Sequence, residues 1–208
     1  MYIPTAFKEE NLDKLVGFMQ ANSFATLVST VEGMPFASHV PLVVTIEDQT
    51  VKLTGHLAKA NPQWQAFAAA ESLAIFIGPH AYIDPALYEK QENVPTWNYI
   101  AVHAYGKPQL ITLDDSPEQM DQMIEGMINA YGPDFKTQWK SLSSQYQEGM
   151  MRGIVGFEMA VSRLEGKYKL SQNRSFADQH SVAQALQQNP DPTASAVGEV
   201  MQQNLEAS

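Results

Sequence analysis

Residues 24–46 read Phe24-Ala25-Thr26-Leu27-Val28-Ser29-Thr30-Val31-Glu32-Gly33-Met34-Pro35-Phe36-Ala37-Ser38-His39-Val40-Pro41-Leu42-Val43-Val44-Thr45-Ile46. β-Branched and aromatic residues dominate both sides of Glu32-Gly33, and that pattern predicts two strands, 24–30 and 35–46, joined by a hairpin turn. Working outward, 50–56, 72–78, 99–111 and 153–162 have the same character and predict further strands. Helical spacing appears at the edges of this block. Leu12, Leu15, Val16 and Met19 give one apolar face over 8–20. Asn61-Pro62 opens a short helix with Asn61 as cap. Ser116-Pro117-Glu118-Gln119 has the pattern of a capping box ahead of an apolar stripe of Met120, Met123, Ile124, Met127, Ile128 and Tyr131. Residues 143–152 and 176–187 predict two more helices, and Val197, Val200, Met201 and Leu205 a last one. The fold class is mainly β with peripheral helices, α+β. One domain is expected over 1–190, followed by a C-terminal amphipathic helix and tail over 191–208.

The 208 residues suffice for one substantial core, and an apolar share of 44 % is that of a folded protein. Cysteine is absent, so neither disulfides nor thiolate metal sites enter. The five histidines lack close metal-ligand spacing, and no metal is expected. Lys8, Glu9, Glu10 and Asp13 stand where a secretory segment would be apolar, which points to the cytoplasm. No apolar run is long enough for a bilayer span. The formal charge is −10, a field that repels nucleic-acid phosphates and argues against direct DNA binding. Against it, Arg152, Arg163, Lys167, Lys169 and Arg174 form a basic island. Such an island fits a local anion site or a solvated strand-and-turn face.

Four segments concentrate chemistry. In Ser38-His39-Val40-Pro41, the proline lacks a ladder donor and places the strand at an edge or beside a ligand. Residues 55–64 run from strand to helix start, with His56, Lys59 and Asn61 around a terminus that can cradle phosphate. A capped surface helix with an incidental lysine has the same sequence. Residues 78–85, Val94-Pro95-Thr96-Trp97-Asn98-Tyr99 and 102–106 are dense in aromatics, His and Pro, as suits a planar ligand or an aromatic core. Residues 165–174 set Lys167, Lys169 and Arg174 beside Ser171, Gln172 and Asn173, as suits an anionic or heterocyclic partner or a polar turn.

Together with Met1-Tyr2-Ile3-Pro4 and Phe7, these segments resemble the PaiB-type FMN-binding negative transcriptional regulators, within the pyridoxamine phosphate oxidase-like split barrels. The matching stretches run from residue 1 to about 176, with Asp84 and Ala86-Leu87 departing from the pattern in one loop. The resemblance implies a six-stranded split β-barrel of FMN-binding type, a homodimer, and FMN in a groove built by both subunits. It implies a flavin ring along Ser38, His39, Val40 and Pro41, and a phosphate near His56, Lys59 and Asn61. The partner subunit would supply Trp97, Asn98 and Tyr99 or Lys169, Gln172 and Asn173. Two functions follow, a flavin-dependent oxidoreductase or a flavin-linked negative regulator of gene expression. No residue pattern names a redox substrate or an acid–base pair. The alternative is a haem-binding or haem-degrading split barrel, with His39, His56, His80 or His103 as ligand.

Overall fold

The computed structural model describes residues 1–206. In chain order its elements are β1 (Lys8–Glu9), α1 (Leu12–Ala21), β2 (Phe24–Val31), β3 (Met34–Pro41), β4 (Val43–Glu47), β5 (Thr50–Ala58), β6 (Ser72–Ile83), β7 (Thr96–Gly106), β8 (Gln109–Ile111), α2 (Pro117–Tyr131), α3 (Phe135–Ser141), α4 (Ser144–Arg152), β9 (Ile154–Lys169), α5 (Phe176–Gln187) and α6 (Pro192–Glu206). Short 3-10 turns occupy Thr5–Phe7, Pro62–Ala66 and Pro85–Leu87. The strand order is β3-β2-β6-β7-β9-β5-β4, with β1 and β8 both pairing β9. The α+β reading therefore holds. The expected six strands are nine among the described residues, because β1 and β8 add two- and three-residue ribbons to β9 and because the run 35–46 is two strands. The described part of the C-terminal segment is α6; residues 207–208 of that tail lie outside the described residues.

The first hairpin follows its sequence closely. β2 and β3 pair from Phe24↔Pro41 to Val31↔Met34, and Glu32 and Gly33 turn the chain with φ of 51° and 79°. Two successive positive φ values match the right-handed twist of the flanking strands. The break at Leu42 arises because its N–H bonds to Ser23 O (2.9 Å), which releases β4 to pair with β5. Lys8 and Glu9, read as helix, instead pair with Lys167 and Gly166. α1 starts only after Asn11, whose Oδ1 accepts the Lys14 N–H at 3.0 Å.

Contacts divide the chain into two compact units. One comprises Met1–Leu15, Ile77–Val102 and Glu165–Ser208; the other comprises Val16–Phe76 and His103–Leu164. In the second, Leu27, Leu53, Phe67, Phe76, Phe157 and Met159 are fully buried, and the Phe67 and Phe157 rings meet edge-on at 5.2 Å. The methionine stripe of α2 is core: Met120 and Met123 pack with Ile111 and Met151. The capping box is absent, since Ser116 Oγ turns back to Thr112 O (3.2 Å) and caps nothing. α3 has no counterpart among the sequence expectations, because its apolar spacing is the single pair Phe135 and Trp139, one turn too short to stand as a period. In the first unit, Ile83, Ile100, Leu170, Val182 and Val197 are buried, and α5 lies so close to α6 that a methyl on Gly198 would stand 2.6 Å from Gln187 N. Burial there pushes the Tyr168 phenol up to about 12, with the Glu9 carboxylate adding to the rise.

Candidate functional site

In the unit formed by Val16–Phe76 and His103–Leu164, β3 pairs with β2 alone and presents an open outer edge among the described residues. Side chains alternate across its pleat. His39 and Pro41 face the same side as their partners Thr26 and Phe24, and this side is open: Phe24 is 70 % exposed. Thr26 Oγ1 bonds His39 Nδ1 at 3.1 Å, and the Phe24 and His39 rings stack at 6.3 Å and 27°. Ser38 and Val40 point the other way, beside Leu27 and Ala25. Ser38 Oγ accepts from Asn61 Nδ2 at 2.8 Å, so the loop after β5 is tied to β3.

Asn61 caps as expected, its Oδ1 accepting the Gln63 N–H at 2.9 Å. What it caps is a five-residue 3-10 turn, not a helix. So few aligned peptides sum to a weak end charge. The helix-end argument for a phosphate cradle falls, and the exposed Lys59 is the cation left in this loop. Among the described residues Lys59 is held by its backbone alone, its N–H donating to Gly153 O (2.9 Å) and its O accepting from Trp64 Nε1 (3.0 Å). His56 is half-buried on the α2 side of β5, its Nδ1 3.2 Å from Met127 Sδ, and burial depresses its pKa. Gln63, absent from the sequence-based site, is the hub of this loop. Fully buried, its Nε2 donates to Leu27 O (2.9 Å) and Ser29 Oγ (3.0 Å). A glutamine after a capping motif looks like a surface residue, and nothing in the sequence marks it.

The remaining expected residues lie in the other unit. Lys169 Nζ donates to Thr96 Oγ1 and Trp97 O, each at 2.5 Å, joining two segments that the sequence keeps over seventy residues apart. Burial depresses the Lys169 pKa, and the Lys167 and Arg174 charges add to it. Asn98 is fully buried and donates from Nδ2 to Ser171 Oγ at 2.9 Å. Tyr99 meets Lys167, whose Nζ is 5.1 Å from the ring, while Trp97 is 53 % exposed beside His80 and Tyr82. Gln172 is occupied by its own backbone, Oε1 accepting from Leu170 N–H and Nε2 donating to Tyr168 O. Asn173 is exposed at the rim of a cavity of about 190 Å3, which Tyr88, Thr96, Asn98, Lys169, Ser171 and Arg174 help to line. Tyr88 was not foreseen. It carries Arg174 over its ring at 4.5 Å, a pairing no sequence spacing announces.

Among solved structures, the flavocytochrome Anf3 from Azotobacter vinelandii aligns over 78 % of this chain and 69 % of its own, with a TM-score of 0.61 at 11 % identity. The FAD and heme binding protein from Mycobacterium smegmatis aligns over 78 % and 73 %, with a TM-score of 0.57 at 13 % identity. These likenesses concern the fold alone. The protease synthase and sporulation protein PAI 2 of Bacillus subtilis is 42 % identical over 206 residues, covering 99 % of this chain and 98 % of the relative. A family model described as "Putative FMN-binding domain" matches residues 1–163, and on these two matches the chain belongs to that FMN-binding family.

Proposed function

We propose that the chain is an FMN-binding protein of the split-barrel type that works as a homodimer, either in flavin-dependent redox chemistry or as a flavin-linked regulator. The observation that carries this reading is edge strand β3 with its open face. A flavin needs a flat surface, backbone groups for its heterocyclic edge and a cation for its phosphate. β3 offers unpaired backbone on its outer side, the Phe24–His39 stack and, through the Ser38–Asn61 bond, the loop that bears Lys59. Ser38, His39, Val40, Pro41, His56, Lys59 and Asn61 would hold the cofactor from one subunit. Trp97, Asn98, Tyr99, Lys169, Gln172 and Asn173 would come from the partner.

A bound flavin supplies one- and two-electron redox chemistry; the protein supplies position and electrostatics. The edge backbone of β3 would orient the ring, and Lys59 would neutralise phosphate charge. The apolar side chains left open on β2 and β3, Phe24 and Met34 at about 70 % exposure, support a second copy as their cover. PAI 2 is named for protease synthesis and sporulation, and the regulatory reading extends that role to this chain through a protein partner. The charge of −10 opposes direct operator binding. No described helix is long and apolar enough to cross a membrane.

Haem is the weaker reading. The family match is to an FMN-binding domain. A visible spectrum of purified protein and an FMN titration followed by fluorescence test the proposal. Flavin absorbance or quenching at micromolar FMN is expected; a Soret band, or no response to FMN, overturns it. Light scattering should give a dimer, whose isologous interface should bury roughly 2,000 Å2 or more.

A further inference from the structure

A cleft of about 550 Å3 opens beside α2, within the unit of Val16–Phe76 and His103–Leu164, and none of its lining residues is among those proposed to hold flavin. Pairing registers show how the sheet builds it. His56, Gly156 and Ile111 stand opposite one another across β5, β9 and β8. α2 closes over that row: Met127 Sδ meets His56, and Met123 Sδ would stand 2.5 Å from a Cβ on Gly156. Two residues further along the strands, Val43, Thr54, Glu158 and Gln109 form the next row, across β4, β5, β9 and β8. This row is uncovered and, Val43 apart, polar. On the opposite wall, Gln119, Gln122 and Gly126 recur at the spacing of one flank of α2. Gly126 has open space in front of it, with nothing within 4 Å of an added methyl. A helix buries an apolar stripe against its sheet; here the contact stops short, and two polar walls face each other across a gap.

The polar groups decide what fits. The side chains of Thr45, Thr54, Gln109, Gln119 and Gln122 line the cleft, and none has a hydrogen-bond partner among the described residues. Hydroxyls and amides both donate and accept, so a ligand that does both uses them in full. Three ionisable side chains join them. Lys52 Nζ sits between Glu47 and Glu158, 2.6 Å and 3.2 Å from their carboxylates. That ammonium already fills the place a cationic ligand would take. The second carboxylate leaves one negative charge in excess, which repels an anion. Neighbouring hydroxyls of an uncharged ligand suit the group well, one donating to a carboxylate and the next accepting from the ammonium. Val43 and Leu110, the latter 39 % exposed, add apolar ground for C–H groups. The volume lies within the roughly 300–1,000 Å3 of small-molecule sites. We propose that this cleft binds an uncharged polyhydroxylated ring, a monosaccharide unit, whose hydroxyls bond to Thr54, Gln109, Gln119 and Gln122. Two sources share this chemistry, a free sugar and the end of a longer saccharide.

Methyl NMR of the full chain, labelled at Leu and Val and titrated with glucose, galactose and mannose in turn, tests it in wild type, Gly126→Leu and Gln122→Met. At least one sugar at millimolar concentration should shift the Val43 and Leu110 signals of wild type. Gly126→Leu fills the cleft with a better helix former, so it should abolish those shifts without lowering Tm. Gln122→Met keeps the length of the side chain and loses its amide, and should weaken affinity several-fold, the loss of one hydrogen-bonding group. This second variant decides the matter even where the first fails to fold. The 6-phosphate and 2-amino counterparts of the sugar that binds should bind no more tightly than their parent. A disaccharide ending in the same sugar separates the sources: affinity at or above that of the free sugar assigns the longer saccharide, and weaker affinity assigns the free sugar. No shift at Val43 or Leu110 with any of the three sugars, or binding that either variant leaves unchanged, overturns the inference. Tighter binding of a charged counterpart also overturns it, because the cleft would then be selecting charge. The titration needs no flavin, so the flavin reading stands or falls apart from it.

Discussion

Lys59 and Lys169 look alike in sequence, each a lysine beside Asn or Gln near the end of a strand, yet they sit in opposite physical situations. Lys59 stands in solvent after β5 with no side-chain partner among the described residues, on a loop whose order comes from half-buried Asn61 and buried Gln63. Lys169 is half-buried, fastened to Thr96 and Trp97, and crowded by Lys167 and Arg174. A surface charge is free to meet a ligand because the fold does not need it. A desolvated one serves the fold first, and any ligand must fit what that leaves open. Removing either charge therefore asks a different question.

The largest effect expected is at Gln63, which separates the loop's scaffold from its charge. Gln63→Leu strips partners from Leu27 O and Ser29 Oγ, and urea unfolding should report a loss of about 2–4 kcal/mol. Lys59→Ala should stay within about 0.5 kcal/mol of wild type in the same assay. Equal losses would break the comparison. Next in size is the ligand side. Lys59→Ala should weaken FMN by about 1.5–3 kcal/mol and leave riboflavin, which lacks the phosphate, unaffected. Parallel losses for both ligands would place the phosphate elsewhere.

Glycines sharpen the same contrast between closed and open ground. Alanine is the better helix former by about 1 kcal/mol, and Gly149→Ala, with nothing within 4 Å of the new methyl, should gain about that much in thermal unfolding. Gly198→Ala should instead lose about 1–3 kcal/mol, because the methyl meets Gln187 N and Ala183 O, backbone atoms that cannot step aside. A gain at both sites would mean that α5 and α6 pack more loosely than the structure has them. The smallest effect is at His56. Its folded pKa lies below the unfolded value, so the unfolded chain binds the proton more readily. Its contribution is complete above about pH 6.5, the ordinary histidine value, and is lost as pH falls through the depressed folded value. His56→Gln should flatten stability over that window, and an unchanged slope would show that the ring is not desolvated against Met127.

Local signals were legible where the partner is a near neighbour in the chain. The Glu32-Gly33 turn and the Asn61 cap both follow from residues a few positions apart. Ser116 shows the limit: the motif is present, but Thr112 competes for the hydroxyl and wins. Asn61 shows another, since a cap does not set the length of what it caps. In the candidate site, the segments rich in His, Lys and Asn were visible as chemistry. Their assortment was not, because Lys169 with Trp97, Ser38 with Asn61 and Arg174 with Tyr88 are joined by tertiary folding. Gln63 and Tyr88 were illegible for a plainer reason, as burial of a polar side chain leaves no periodic trace.

The open edge of β3 has a consequence for the protein as a material. A strand with one side unpaired is a template on which any other extended chain can grow. β3 carries prolines at positions 35 and 41, near both ends of its run, and neither can donate a ladder bond. They leave a short reactive stretch between two blunted ends. Replacing both with valine would lengthen that stretch into an uninterrupted β-prone segment, and such a chain should pass more readily into insoluble fibres while its folded form stays much as it is.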